Sequence, residues 1–265
     1  MSFSINTNLE ALNAYNALAK VNSQTEKAQL RLATQKRINS AGDDTSGYRV
    51  GKELQSKISI MQAAQGNIGS AKDMLSTAES ALSNINDLLI QVEGKVADSN
   101  DPTKNLTSLA SDIKALGNEI NSIFTSTKFN STALLSGASF TSDFTFQTGD
   151  GEMTTINFGT LNTLDISSLT GATSANITSI DVSSLETAVK DALGSIGNYE
   201  QRLGVKSDYL TSAISNATSS VSRLFDADMA MEQLNATKGQ IGSQVATTML
   251  AQLNAAPQNI LSLFR

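Results

Sequence analysis

With imidazole and thiol absent, carboxylates are the side chains in this sequence best suited to acid–base or metal chemistry. The 265 residues contain no histidine, no cysteine and no tryptophan. A Ser–His pair or a cysteine nucleophile is excluded, as is a metal site of imidazole or thiolate ligands. What remains is a carboxylate pair or an all-oxygen ion site. Asp143, Asp150 and Glu152 cluster in a Ser/Thr-rich stretch and are the candidates for hydrolysis or ion binding. The glycines of Gly149-Asp150-Gly151 read more simply as a solvated turn. Asp43-Asp44 also invites a metal reading, but adjacent residues on a helix point in different directions. That pair reads instead as the cap and first-turn carboxylates of a following helix. No catalytic residue, cofactor or metal ion is expected, and the chain is not read as an enzyme.

The elements around these carboxylates are helices. Residues 4–35 carry a narrow apolar stripe through Ile5, Leu9, Leu12, Tyr15 and Leu18. Turn formers then run from Asn39 and Ser40 to Asp43 and Asp44. In the next segment Ala64, Ile68, Ala71, Leu75, Ala78, Leu82, Ile85, Leu89, Val92 and Val96 alternate steps of four and three, a coiled-coil-like seam predicting a helix from Thr45 to Ala97. Asp101 and Pro102 suggest a cap and first helical position for a third helix, with Leu106, Leu109, Ile113, Leu116, Ile120 and Ile123 on one face. It stops near Lys128.

Residues 129–183 hold no basic residue, and Ser and Thr dominate them. Phe140, Phe144 and Phe146 before the glycine turn, with Ile156 and Phe158 after it, predict a β-hairpin. Two near-copies follow, Leu161 to Leu169 and Ile177 to Leu185, read as short strands or lead-ins to a helix. Ser183 and Glu186 have capping-box spacing. A long helix then carries Val189, Leu193, Ile196, Tyr199, Leu203, Leu210, Ile214, Ala217, Val221 and Leu224 at helical spacing. After Asp226 and Asp228 a last arm continues with Met231, Leu234, Ile241, Val245, Met249 and Leu253, and Pro257 precedes Ile260 and Leu263.

The fold class is therefore mainly α: a long antiparallel coiled-coil-like helical bundle with a small β-hairpin insert, plus paired N- and C-terminal helices. Residues 1–40 with 226–265 form terminal arms, 41–130 with 184–225 a helical rod, and 131–183 the insert. The rod helices can bury their seams against one another. The arms have one thin stripe each, and an isolated amphipathic helix is marginal in water. They need each other and neighbouring copies, which makes Ile5, Leu9, Leu12, Leu18, Ile241, Val245, Met249, Leu253, Ile260 and Leu263 the candidate packing residues. Asn39, Ser40, Asp43, Asp44, Asp226 and Asp228 are the candidate inter-domain turn.

Bulk properties fit assembly better than the competing classes. Charged residues make up 17%, against a usual value of about 25%. A net charge of -6 argues against nucleic acid, which needs clustered Lys and Arg. No stretch reaches the roughly 18 apolar residues of a membrane span. A membrane-surface role for the last arm is disfavoured too, because Lys238 is its sole cation before Arg265. The start, Met1-Ser2-Phe3-Ser4-Ile5-Asn6, has neither the basic nor the apolar region of a secretory signal peptide.

At both ends the sequence resembles the bacterial flagellins. The likeness covers about residues 3–130 and 185–265. It rests on Ile5-Asn6-Thr7-Asn8, Arg31-Leu32, Arg37-Ile38-Asn39-Ser40-Ala41, Asp43-Asp44, Gly47, Phe129-Asn130, Asp226-Ala227-Asp228, Met249-Leu250-Ala251-Gln252 and Pro257-Gln258-Asn259-Ile260-Leu261. The resemblance implies a structural subunit of the flagellar filament. Such a subunit leaves the cell unfolded through flagellar type III secretion and polymerises at the distal tip, so its place is extracellular. Its implied partners are itself in a helical homopolymer, an export chaperone at the C-terminal arm, and the filament cap and hook-associated proteins. Neither nucleic acid nor a membrane is among them. The insert is small, which implies a minimal flagellin without separate outer domains. A hook–filament junction protein shares the terminal pattern and is the alternative, with the carboxylate enzyme a distant third.

One stretch departs from the family. Many flagellins carry Gln-Arg-Val-Arg-Glu-Leu-Ala-Val late in the long helix, read by the vertebrate Toll-like receptor for flagellin. Here it is Ile90-Gln91-Val92-Glu93-Gly94-Lys95-Val96-Ala97. Both arginine positions are lost, to Gln91 and Glu93, and Gly94 weakens the helix by about 1 kcal/mol relative to Ala. Weak or absent recognition by that receptor is the expectation.

Overall fold

The computed structural model describes residues 8–135, 143–157 and 166–263, the last eight as backbone course alone. Six helices and two short antiparallel ladders are described. They are α1 (Leu9–Thr34), α2 (Thr45–Asp98), α3 (Leu106–Ser126), β1 (Lys128–Phe129), β2 (Thr132–Ala133), β3 (Phe144–Gln147), β4 (Met153–Ile156), α4 (Ser167–Thr170), α5 (Ser183–Phe225) and α6 (Met229–Leu263). A 3-10 turn at Ile177–Ser179 lies between α4 and α5. The chain divides into two compact units, residues 1–56 with 216–265 and residues 57–215.

In the second unit the four-three seam of α2 is the core. Ala64, Ile68, Ala71, Leu75, Ala78, Leu82, Ile85, Leu89 and Val92 are buried, and Val96 is half-buried. α5 runs antiparallel to α2. Gln65 donates to the Thr211 hydroxyl at 3.1 Å, while Lys72, further along α2, meets Gly204, further back along α5. Val189, Ile196, Leu203 and Leu210 close the seam from that side, and Leu109, Ile113 and Ile120 from α3. Full burial of each Leu or Ile contributes about 1.5–3 kcal/mol, so this unit supplies its own driving force.

The insert belongs to the same core. β3 and β4 pair antiparallel from Phe144 opposite Ile156 to Gln147 opposite Met153, as the alternating aromatics predict. Gly151 turns the hairpin with φ +78, a conformation that favours glycine. Ile156, Leu169, Ile177 and Val182 are buried against the helices. Of the two near-copies, the described part of the first ends in α4 and the second leads through the 3-10 turn into α5. Phe140, Phe158 and Leu161 lie outside the described residues.

Three local features depart from the sequence reading. Asp101 does not cap α3: its carboxylate accepts from the Thr103 N–H at 2.9 Å and hydroxyl at 2.7 Å, and Lys104 N–H bonds to Asp101 C=O. Pro102 therefore sits at the second position of a β-turn, where its fixed φ is equally welcome. The α3 cap is Asn105, which accepts from Thr107 and Ser108 N–H. The capping box at α5 is replaced by Asp181, which accepts from Ser184 N–H at 3.3 Å, while Glu186 turns to Lys190 at 2.6 Å. A tight turn at Asn130-Ser131, with φ of +46 and +66, joins β1 to β2 without any glycine.

In the first unit the Phe225 ring lies against the backbone of Gly51 and packs edge-on to Tyr48, 6.3 Å between centroids. A Cβ at residue 51 would overlap that ring, whereas one at Gly66, also in α2, would meet nothing within 4 Å. The two glycines should respond with opposite signs. Gly66→Ala is expected to stabilise by up to about 1 kcal/mol through helix propensity. Gly51→Ala should destabilise by about 1–3 kcal/mol despite the same gain. Paired thermal or denaturant unfolding of the two variants decides it, and equal stabilisation would remove the ring contact from the account.

Candidate assembly surface

The terminal arms meet along a seam of small residues. On α1 it runs through Ala11, Ala14, Leu18, Val21, Thr25, Ala28 and Leu32, and on α6 through Glu232, Ala236, Gly239, Ser243, Ala246, Leu250 and Leu253, all buried or half-buried. Both series alternate steps of three and four, the period that brings one face of each helix onto its partner. Closeness is visible at Gly239, where a Cβ would collide with the Thr25 hydroxyl, and at Gly242, where one would touch Val21 at 3.4 Å. Thr25 turns its hydroxyl back to Val21 C=O at 2.8 Å, so no polar atom is stranded at the narrowest point.

Two polar ties fix the register of this pair. Asn8 caps α1 through Ala11 N–H at 3.0 Å and donates its amide to Leu253 C=O at 3.1 Å. Arg31 and Glu232 form an ion pair at 3.0 Å, with side chains 30% and 11% exposed. Those atoms are withdrawn enough from water for the pair to discriminate between registers.

A small-residue seam leaves the large apolar side chains outside. Leu9, Leu12 and Tyr15 on α1 are exposed, as are Met231, Leu234, Ile241, Val245 and Met249 on α6. At 100° per residue Ile241 and Val245 lie on the far side of α6 from Glu232 and Leu250. Leu9 remains 66% exposed and Ile241 59%. Of the packing residues expected from sequence, Leu18 and Leu253 thus face the partner arm. Leu9, Leu12, Ile241, Val245 and Met249 face outward. Ile5 lies outside the described residues, and for Ile260 and Leu263 only the backbone course is described. The seam itself escaped the sequence reading, although its Ala, Gly, Ser and Thr keep the same three-four rhythm as a Leu seam.

Two of the turn residues cap helices, and the others close the turn itself. Asp44 accepts from Gly47 N–H at 2.8 Å at the start of α2, and Asp228 from Ala230 and Met231 N–H at the start of α6. Asp43 gathers Asn39 N–H, Ser40 N–H and the Ser40 hydroxyl, and the backbone donors hold its carboxyl below the usual carboxylate range. Asn39 returns its amide to Lys36 C=O. Asp226 bridges Lys36 in a short antiparallel contact, flanked by Arg37 N–H to Phe225 C=O and Ala227 N–H to Gln35 C=O.

Elsewhere the singled-out side chains are engaged in structure. Asp143 accepts from Asn157, Glu152 pairs with Lys206, and Asp150 is exposed in the hairpin turn. Among the described residues no three carboxylates gather in a way that would hold a metal ion. Gln91, Glu93 and Gly94 are exposed, and Lys95 pairs with Asp112 at 2.8 Å.

Residues 5–139 match the family described as the bacterial flagellin N-terminal helical region, and residues 177–264 its C-terminal helical region. The chain belongs to the bacterial flagellin family. It is 30% identical to a flagellin of Halalkalibacterium halodurans, over 98% of this chain and 99% of that one. A flagellin of Bacillus subtilis is 28% identical over the same shares, and the flagellar filament 33 kDa core protein of Treponema phagedenis 29%. The matched regions include both arms and the four-three seam of α2, and they leave most of the insert between them.

The seam's register can be tested directly. Reversing one charge, Glu232→Arg, should loosen the arms by about 1–3 kcal/mol, because two cations then face each other. The double exchange Arg31→Glu with Glu232→Arg should recover most of that loss. Amide hydrogen exchange along α1 and α6 reads the effect, and a double variant no better than the single one would deny the pair its role.

Proposed function

We propose that the chain is a structural subunit of a bacterial flagellar filament, a helical homopolymer outside the cell whose copies pack through their terminal helices. The observation that carries this reading is the division of labour on the arms. Small residues join α1 to α6 within one chain, and Leu9, Leu12, Tyr15, Leu234, Ile241 and Val245 stay in water. Such a display is costly for a free monomer and is a mark of an interaction surface. Burying it between copies supplies about 1.5–3 kcal/mol per large side chain, enough to offset association costs of about 4–15 kcal/mol. The relatives named as filament core proteins align with this chain over nearly their whole length.

In this reading residues 1–40 with 226–265 line the inner tube, 41–130 with 184–225 form the surrounding helical shell, and 131–183 are the small β insert of that shell. The absence of cysteine and the predominance of local helical contacts suit export in an unfolded state by flagellar type III secretion and fast refolding at the tip. A chaperone for the C-terminal arm, the filament cap and the hook-associated proteins complete the set of partners. The exposed Gln91 and Glu93 replace the arginines that the vertebrate Toll-like receptor reads in many flagellins. They favour weak or absent recognition.

Two measurements test these statements. Ile241→Asp with Val245→Asp should leave helicity and unfolding of the free chain within about 0.5 kcal/mol of the parent, because both side chains are exposed. The same double substitution should abolish filaments in electron micrographs under polymerising conditions. Filaments of normal yield would sink the assembly surface. For the receptor, a reporter-cell response equal to that of a strongly stimulatory flagellin would refute the reading of residues 90–97.

A further inference from the structure

The outward stripe of α6 is bounded by methionines. Met231 and Met249, 54% and 57% exposed, stand at either end of Leu234, Ile241 and Val245, and Met229 lies just before the stripe. Three of the seven methionines of the chain thus sit on this one helix. With no cysteine and no tryptophan in the sequence, the thioether is the most easily oxidised side chain present. Exposure then decides which thioethers react. Met74 is buried and Met61 half-buried, while Met153 on β4 is exposed but lies on the hairpin.

We propose that Met231 and Met249 are oxidation sites that switch off assembly: a peroxide that reaches the free chain converts them to sulfoxides, and the arm can no longer pack against a second copy. This rests on the filament reading above and adds its regulation. The step balances. The sulfur lone pair takes one oxygen atom from hydrogen peroxide, the O–O bond breaks and water leaves. Sulfur is oxidised by two electrons and the peroxide reduced by two. The product places a polar S=O where an apolar contact is required, and an oxygen buried there without a donor costs at least a factor of about ten in association per site. Reversal needs an outside thiol reductant, acting through methionine sulfoxide reductases, because this chain has no cysteine of its own. In the polymer the same sulfurs are covered, so oxidation acts on subunits before they assemble.

The test uses the full chain, with hydrogen peroxide as the probe, peptide mass spectrometry to locate the added oxygen, and sedimentation to measure the concentration at which polymer forms. Treated protein carrying oxygen on both Met231 and Met249 should need about a hundred times more protein to polymerise, a factor of about ten for each site. Treatment with the two reductases should restore the original value. Met231→Leu with Met249→Leu conserves volume and apolarity, so that chain should polymerise equally well before and after peroxide even though Met153 and Met229 are still oxidised. Oxidised parent that polymerises at the untreated concentration overturns the proposal. So does failure of the reductases to restore assembly, or a Leu variant inhibited as strongly as the parent. Untreated parent that never polymerises would instead bring down the filament reading, and this inference with it.

Discussion

The separation of α1 and α6 is set by the side chains between them, and those are mostly Ala, Gly, Ser and Thr. At Gly239 the opposing Thr25 leaves no room for even a methyl group. With the helices held that closely at Gly239 and Thr25, large side chains enter the seam only toward its ends and middle, at Leu18, Leu32, Leu250 and Leu253, and the others occupy outer faces. Leu12 and Tyr15 on one helix, and Ile241, Val245 and Met249 on the other, follow from that constraint. The polar ties follow as well. A seam of small residues has few interlocking shapes to fix its register, so Asn8 and the Arg31–Glu232 pair supply the directional contacts that size does not.

The second unit shows the opposite choice. Leu75, Leu82, Ile85 and Leu89 on α2 face Val189, Ile196 and Leu203 on α5, with Ile113 and Ile120 from α3, and all are fully buried or nearly so. There the three-four rhythm carries bulk, and the hairpin and α4 add Ile156 and Leu169 to the same core. One period thus serves two purposes in one chain. With large residues it makes a unit with its own buried core, and with small ones it makes a pair whose large apolar side chains stay exposed.

This difference also governs what the sequence could reveal. The α2 seam was legible from Ala64 to Val92, with only Val96 less buried than expected, because its Leu and Ile residues mark the buried face. That the arms are helical and carry apolar stripes was equally legible. Which of their faces closes on the partner was not, because Ala14, Ala28, Gly239 and Ser243 carry little hydrophobic signal, while the eye follows Leu9 and Ile241. Local chemistry was read well where a single arrangement fits the residue types, as at Asp44, and poorly where two do. Asp101-Pro102 suits a helix start and a β-turn alike, and only the hydroxyl of Thr103 decides between them. The Asn130-Ser131 turn gave only a weak sign, because Asn tolerates the left-handed conformation but Ser131 adopts it without glycine.

A seam of small residues has a thermodynamic consequence for the arms. Burial stabilises roughly in proportion to apolar area, at about 25 cal/mol per Å², and an Ala or Gly contact contributes little of it. Against that stands an ordering cost of about 1–2 kcal/mol per residue for the backbone alone. The 26 residues of α1 and 35 of α6 recover part of this through helical hydrogen bonds and the polar ties. The larger apolar reserve remains on the outer faces, where it counts only when another surface covers it. Any partner that binds the ordered arms and not the disordered ones draws the equilibrium toward order by mass action. In the proposed filament, ordering of the arms and association of the copies are therefore one linked process, because the exposed Leu12, Ile241 and Val245 gain burial only when a second copy covers them.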